Sequence, residues 1–308
     1  MIIDYQKVKL KLRHVNSLSL LVLLITGCGN FFETVYLRQA EVTGPIVTSP
    51  IHLADSSFAP SLTVSPSFTY NTGNSFTGNV KEFTTLFDLD SAFIPSDHSL
   101  LWNITIVSMA IDLDYRVSKN FAISCGAFYS TNSNFNSWGG NIGVGFVEII
   151  YSSAFRIDIG VQIHTMQYNT YSVLGKGVAS YSGPLYDYIG FFHDVGKDTH
   201  IDPYVSLTYN TVYKNWPFNI FFNAGYSVQT LFHFEPKTPY YNFFGDYTPT
   251  DERGSSTAGF INLTPGVYFL LGESSRLLIG SRFYFETQIQ DADPKLFIMP
   301  MVQFDFRL

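Results

Sequence analysis

Charge is scarce in this chain. Asp, Glu, Lys and Arg make up 14% of its 308 residues, against roughly 25–35% on the surface of a soluble domain. Long apolar runs are missing too. No stretch reaches the roughly 20 consecutive apolar residues that a membrane-spanning helix needs, so a helical membrane protein is excluded. The two cysteines, Cys28 and Cys125, are too few for a disulfide framework. There is no basic surplus: the formal net charge is −7, which argues against nucleic acid as a partner. No convincing 3.6-residue apolar period occurs either. What is abundant is aromatic. Phe, Tyr and Trp make up 17%, with 29 Phe and 20 Tyr, while mean hydropathy stays at +0.10. Few charges and many aromatics without long apolar runs are what alternating membrane strands produce.

The first thirty residues have their own grammar. Lys7, Lys9, Lys11 and Arg13 precede an apolar run over residues 15–25, too short to span a bilayer and suited to the core of a signal peptide. Ile25-Thr26-Gly27-Cys28 resembles the lipobox of bacterial lipoproteins. The resemblance implies cleavage before Cys28 and acylation of that cysteine. Removing residues 1–27 takes away four basic residues and Asp4, leaving 14 basic and 24 acidic residues and a net charge of −10. A disulfide between Cys28 and Cys125 is the alternative in an oxidising compartment; acylation excludes it and leaves Cys125 as a small apolar filler. The resulting organisation is a lipoprotein signal peptide at 1–27, a periplasmic segment at 28–57 and one folded domain at 58–308.

Within that domain, apolar and polar residues alternate with period two. Phe155, Ile157, Ile159, Val161 and Ile163 share one face; Arg156, Asp158, Gly160, Gln162 and His164 share the other. The pattern predicts about ten strands, near 58–71, 100–117, 120–131, 139–151, 154–169, 200–213, 217–232, 256–271, 275–288 and 296–308. Residues 72–99, with "VKEFTTLFDLD", could add two more; twelve strands preserve the same parity. Short turns at 118–120, 152–154, 213–216 and 272–275 alternate with long connections at 72–99, 132–138, 170–199, 233–255 and 289–295. Outer-membrane barrels show this asymmetry between short periplasmic turns and long outer loops.

A soluble β-sandwich or lipocalin-like barrel would also alternate. Its polar faces, however, would carry more Lys and Glu than the Gly, Ser, Thr, Asn and Tyr present here. Phe304, Phe306 and Leu308, in phase to the last residue, resemble the C-terminal signal read by the outer-membrane barrel insertion machinery. Tyr70, Trp102, Tyr129, Tyr151, Tyr168, Tyr213 and Trp216 lie near strand ends, where interfacial girdles belong. The expected fold is therefore all-β: an antiparallel transmembrane β-barrel in a bacterial outer membrane, with the lipid bilayer and the insertion machinery as partners. No cofactor or metal is expected.

The polar phase holds the charges: Asp112, Asp114, Arg116, Arg156, Asp158, Arg282, Asp305 and Arg307, with Glu286 nearby. Mixed signs fit ion pairs that fill a narrow lumen; they also fit a charged constriction that selects small solutes. About ten strands leave little room, since open porins use 16–18. Hydrolase readings are thinner. His98 and Ser99 are adjacent and would face opposite ways on a strand. "FFHDVGKDTHID" offers His193, Asp194, Asp198, His200 and Asp202 within ten residues, a cluster that could hold a metal through its imidazoles and carboxylates or that resembles the Asp/His pairs of omptin-type proteases, with His193 and Asp194 as the catalytic candidates. His164 reads as a hydrogen-bonded interior residue. The long loops 171–192 and 233–256 carry exposed aromatics suited to a surface ligand or to packing on each other. The leading function is a non-enzymatic envelope protein with a narrow or ion-pair-plugged lumen. A solute-selective channel and an outer-membrane hydrolase are the alternatives.

Overall fold

The computed structural model describes residues 31–54, 60–73, 75–79, 99–180, 183–213, 216–234, 239–241, 247–249 and 254–308. Residues 1–27, expected as a signal peptide, Cys28, "VKEFTTLFDLD" (80–90) and His98 lie outside them. Contacts divide the chain into two units: one from residues 1–36 and 173–191, the other from residues 37–172 and 192–308. The lumen and its lining belong to the second unit.

The described residues contain sixteen strands: β1 (Phe31–Gly44), β2 (Ser61–Tyr70), β3 (Ser75–Asn79), β4 (Ser99–Ile104), β5 (Val107–Ser118), β6 (Phe121–Thr131), β7 (Asn136–Ile150), β8 (Ser153–Ser180), β9 (Gly183–Thr211), β10 (Asn219–Phe234), β11 (Pro239–Tyr241), β12 (Tyr247–Pro249), β13 (Gly254–Leu270), β14 (Ser275–Glu286), β15 (Gln290–Asp293) and β16 (Leu296–Arg307). Ten of them close a ring in the order β2-β5-β6-β7-β8-β9-β10-β13-β14-β16, with β16 returning to β2 and β8 to β9. Registers run unbroken along most ladders, as between Gly140–Ile150 and the opposing Ser153–Ile163. A closed antiparallel ring leaves no free edge and pairs each stave with a neighbour on either side, which is the condition for crossing lipid with strands.

The burial pattern is inverted relative to a soluble barrel. Outward positions are apolar and uncovered: Ile111, Ile142, Ile159, Leu207, Ile261 and Phe304 are all exposed. Inward positions of the same strands are polar and buried, including Asp158, Gln162, Ser206, Thr208 and Asn262. This is a transmembrane β-barrel. Replacing Ile159 with arginine puts a charge in the middle of the lipid-facing belt, where it costs about 2–4 kcal/mol. The expected outcome is a matching loss of stability in vesicles, read from urea unfolding followed by heat-dependent gel migration; an unchanged midpoint would show that this face does not meet lipid.

Several features depart from the sequence pattern. The predicted strand 100–117 breaks at Thr105–Ile106 into β4 and β5. β3 and β4 do fall in or beside the ambiguous stretch 72–99, but they are not staves. They lie outside the ring and extend its sheet through β1, which pairs with β8, in the order β15-β3-β4-β1-β8. The residues expected as a loop at 170–199 instead prolong β8 and β9. Trp102, expected in an interfacial girdle, is fully buried and donates its indole N–H to the Gly44 carbonyl at 3.2 Å. Tyr70, Trp138, Tyr151 and Trp216 are exposed, as girdle aromatics should be. Cys125 is also exposed, on the outward face opposite Leu113 and Ile142.

Candidate functional site

The lumen is occupied by the protein's own chain. After Gly44 the backbone leaves β1 and residues 45–54 continue without ladder pairing. Pro45 and Pro50 explain the choice of conformation: each lacks an N–H, so the segment cannot act as a full ladder strand. Its carbonyls are read by side chains instead. Gln229 of β10 donates to the Pro45 carbonyl at 2.6 Å and accepts from the Val47 N–H at 3.1 Å. Arg282 of β14 donates to Ser49 O at 2.7 Å, and Gln303 of β16 to Ile51 O at 2.8 Å. Arg276 of β14 reaches Leu53 O at 3.5 Å. Asn210 of β9 brackets Ala54, donating to its carbonyl at 2.9 Å and accepting from its N–H at 3.2 Å. Apolar packing adds to this: Ile51 and Leu53 join Phe221, Tyr268, Leu278 and Met301, while Ala54 meets Val147 and Ala154. The sequence pattern assigns 28–57 to a separate periplasmic segment. Residues 45–54 instead lie in the barrel interior, because five inward side chains need acceptors and this strap supplies them.

Above the strap aromatic rings cluster. Phe76 of β3 stands edge-on to Trp102 (5.9 Å, 81°) and to Phe297 (5.8 Å, 62°), and Trp102 tilts against Phe260 at 5.9 Å. Edge-to-face contacts at these separations are the favourable geometry for such rings. All four side chains are buried.

Below, the inward charges fall into two groups. Arg156 binds Asp114 bidentately, with Nη1 to Oδ2 at 2.8 Å and Nη2 to Oδ1 at 2.7 Å. It also donates to Asp158 through Nε at 2.9 Å and Nη2 at 2.7 Å. The three side chains are 2%, 10% and 0% exposed, so the cluster is shielded from water. Asp112 sits beside it and accepts from Asn141 at 2.8 Å. Tyr204 packs over a platform made by the paired glycines 143 and 160. A Cβ at Gly160 would lie 2.7 Å from the Tyr204 ring, so the absence of a side chain there makes room for the aromatic. The second group centres on Asp305, which accepts from Ser65 at 2.9 Å and Gln303 at 2.8 Å and pairs with Arg276 at 3.2 Å. The other predicted lumen charges have different tasks. Arg116 donates to Lys119 O, at the short turn, at 2.8 Å, and Arg282 holds the strap. Arg307 is half-buried beside Thr63, and the Glu286 carboxylate accepts from the backbone of Gln288 and Ile289.

His193 and Asp194 do not form a pair. They are adjacent on β9 and both exposed; His193 stacks on Tyr171 (4.5 Å, 10°) and its Nε2 meets Asn169 Oδ1 at 2.7 Å. The imidazoles gather elsewhere. His200 lies 5.5 Å from His164 and 4.9 Å from His233, ring centre to ring centre. His164 Nε2 contacts Thr230 O at 3.0 Å and its Nδ1 lies 3.7 Å from Asp202, which accepts from the Thr230 N–H and hydroxyl at 2.7 Å each. Both ring nitrogens of His200 are buried without a hydrogen-bond partner. Among the described residues, no group of three or more His, Cys, Asp or Glu has metal-holding geometry.

The strap's holders Gln229, Gln303, Asn210 and Arg276 have no motif. Their only sequence signal is phase: each is an inward polar residue on a stave. His200 and Asp202 share that phase, two residues apart, which separates them from the adjacent pair at 193–194.

No protein-family model matches the chain, and no curated protein does. Among solved structures, the outer-membrane protease OmpT from Escherichia coli matches with a TM-score of 0.44 at 9% identity, over 82% of this chain and 98% of that one. The translocator domain of the autotransporter NalP from Neisseria meningitidis gives 0.32 at 10%, over 82% and 90%. LpxR from Salmonella typhimurium gives 0.31 at 7%, over 79% and 99%. At these identities and scores none of their activities carries over. The chain's own closed ring and inverted burial make it an outer-membrane type β-barrel.

Proposed function

We propose that this protein is a non-enzymatic envelope protein of the bacterial outer membrane. Its barrel is a closed scaffold, and its working surface is the face that carries the long connections. The observation that supports this is the strap: five side chains from four staves hold residues 45–54 across the lumen, beneath a buried aromatic cluster. A solute pathway needs sites that bind and release, whereas these donors are already engaged by backbone carbonyls.

The lumen charges then act structurally, as a paired cluster that lets polar staves line a dry interior. The barrel insertion machinery is the expected partner during assembly, and the aromatic long-loop face the expected site for a surface ligand. Purified, refolded protein in a planar bilayer should give no steady unitary conductance. Reproducible steps from the intact chain would favour the solute-selective channel and remove the closed-scaffold reading.

A further inference from the structure

The direction of the strap determines on which side of the membrane the upstream chain lies. β1 and β4 are parallel, paired from Gln39↔Ser99 to Gly44↔Ile104. β4 continues through Thr105 and Ile106 into β5, which runs down to the short turn at Lys119–Asn120. Thr105 also donates its N–H to the Gly44 carbonyl at 3.1 Å. Residues 39–44 therefore approach the barrel from the long-connection end, where β5 begins.

From there the strap descends. Pro45 and Val47 engage Gln229, in the upper half of β10. Ala54 engages Asn210, one residue from the lower end of β9, and packs on Val147 and Ala154, which flank the short turn at Tyr151–Ser152. β2 then climbs from that same end: its Leu62 carbonyl accepts from the N–H of Leu308, where β16 finishes. The chain thus crosses the lumen once before its first stave. A barrel whose first stave began directly from a periplasmic segment would keep the upstream chain on the short-turn side. The strap transfers it to the opposite face.

We propose that the barrel is threaded by its own upstream chain, which is displayed on the long-loop, cell-exterior face. If Cys28 is acylated, as the lipobox resemblance implies, its acyl chains belong to the outer leaflet, not the periplasmic one. The donors that hold the strap read backbone carbonyls, so threading depends on an extended, proline-bearing segment more than on its side chains.

The test uses impermeant biotin-maleimide on intact Gram-negative cells that express the full chain from a conventional signal peptide, with Cys28→Ala and Cys125→Ser. Gln39, exposed on β1, becomes the single cysteine in one variant; Ser274, exposed in a short turn, does so in another. Threading predicts full labelling of Q39C on intact cells, with a ratio near one before and after outer-membrane permeabilisation. S274C should gain at least about tenfold on permeabilisation. Labelling of both positions under the same condition places them on one face and overturns the proposal. Should Q39C fail to give a heat-modifiable barrel, an epitope inserted after Asn30 and stained on intact cells replaces it, with staining only after permeabilisation as the overturning result. The acyl half is read separately, by alkyne–fatty acid incorporation into the chain with its own signal segment and into its Cys28→Ser variant. No incorporation in the former removes the lipid while the maleimide result still decides the threading.

Discussion

Replacing Arg156 with alanine lowers the stability of the refolded barrel by about 3–5 kcal/mol. The guanidinium donates to both oxygens of Asp114 and to Asp158. The charges are nearly dry, at 2%, 10% and 0% exposed. Removing the cation leaves two like charges in a medium that cannot solvate them, with Asp112 close by on the same strand as Asp114. The loss is measured by guanidinium unfolding in lipid vesicles, followed through tryptophan fluorescence. Salt should barely change it, because screening reaches buried pairs poorly. The decisive control is the combination Arg156→Met, Asp114→Asn and Asp158→Asn. Replacing a whole buried ion cluster by neutral groups is often close to neutral, so this variant should recover most of the stability. A cost below about 1 kcal/mol for Arg156→Ala alone would mean that water reaches the cluster, and the lumen would have to be read as wet.

Most of the barrel was legible because a transmembrane barrel writes its fold in the coarsest code a strand has. Ile157 and Ile159 against Arg156 and Asp158 state which face meets lipid and which meets the lumen, and a one-residue slip would reverse every such assignment. The ten predicted strands correspond to the ten staves for that reason. The strap was not legible, since what recognises it is a set of inward amides and guanidinia and what they recognise is bare carbonyl. Residues 45–54 carry no alternation for a ladder to use, and Pro45 and Pro50 make them look like a linker. Trp102 misled because its place near a strand end suggests a girdle, whereas it lies on β4, which is not a stave, and its buried indole donates to Gly44. At the histidines, adjacency in sequence was the wrong cue. Side chains one apart on a strand diverge, and the cluster of His164, His200, Asp202 and His233 assembles across the three consecutive staves β8, β9 and β10.

A chain that starts at residue 58 behind a conventional signal peptide should turn a silent barrel into a conducting one. Ten staves enclose a lumen narrower than that of a porin with about 16–18 strands, and in the intact protein inward side chains hold residues 45–54 there. Without them Gln229, Arg282, Gln303 and Asn210 lose their carbonyl partners. Inward donors left unpaired demand water, and a polar cavity of this kind hydrates. Loss of Ile51 and Leu53 from beside Phe221, Tyr268, Leu278 and Met301 costs about 2–5 kcal/mol for each large aliphatic, so the truncated barrel is expected to be less stable yet held by its ladders. Trp102 loses its Gly44 acceptor, which loosens the ring cluster above. The expected record is discrete unitary steps in a planar bilayer, reduced when a synthetic peptide of residues 45–54 is added, because the lumen's donors bind backbone and accept the segment in trans. Arg282→Met with Gln303→Leu in the full-length chain provides an independent route, since two of the strap's anchors disappear while it remains covalently present; brief openings should then replace silence. A heat-modifiable truncated barrel that stays electrically silent would assign the seal to the Arg156 cluster and the rings, leaving the strap as packing rather than plug.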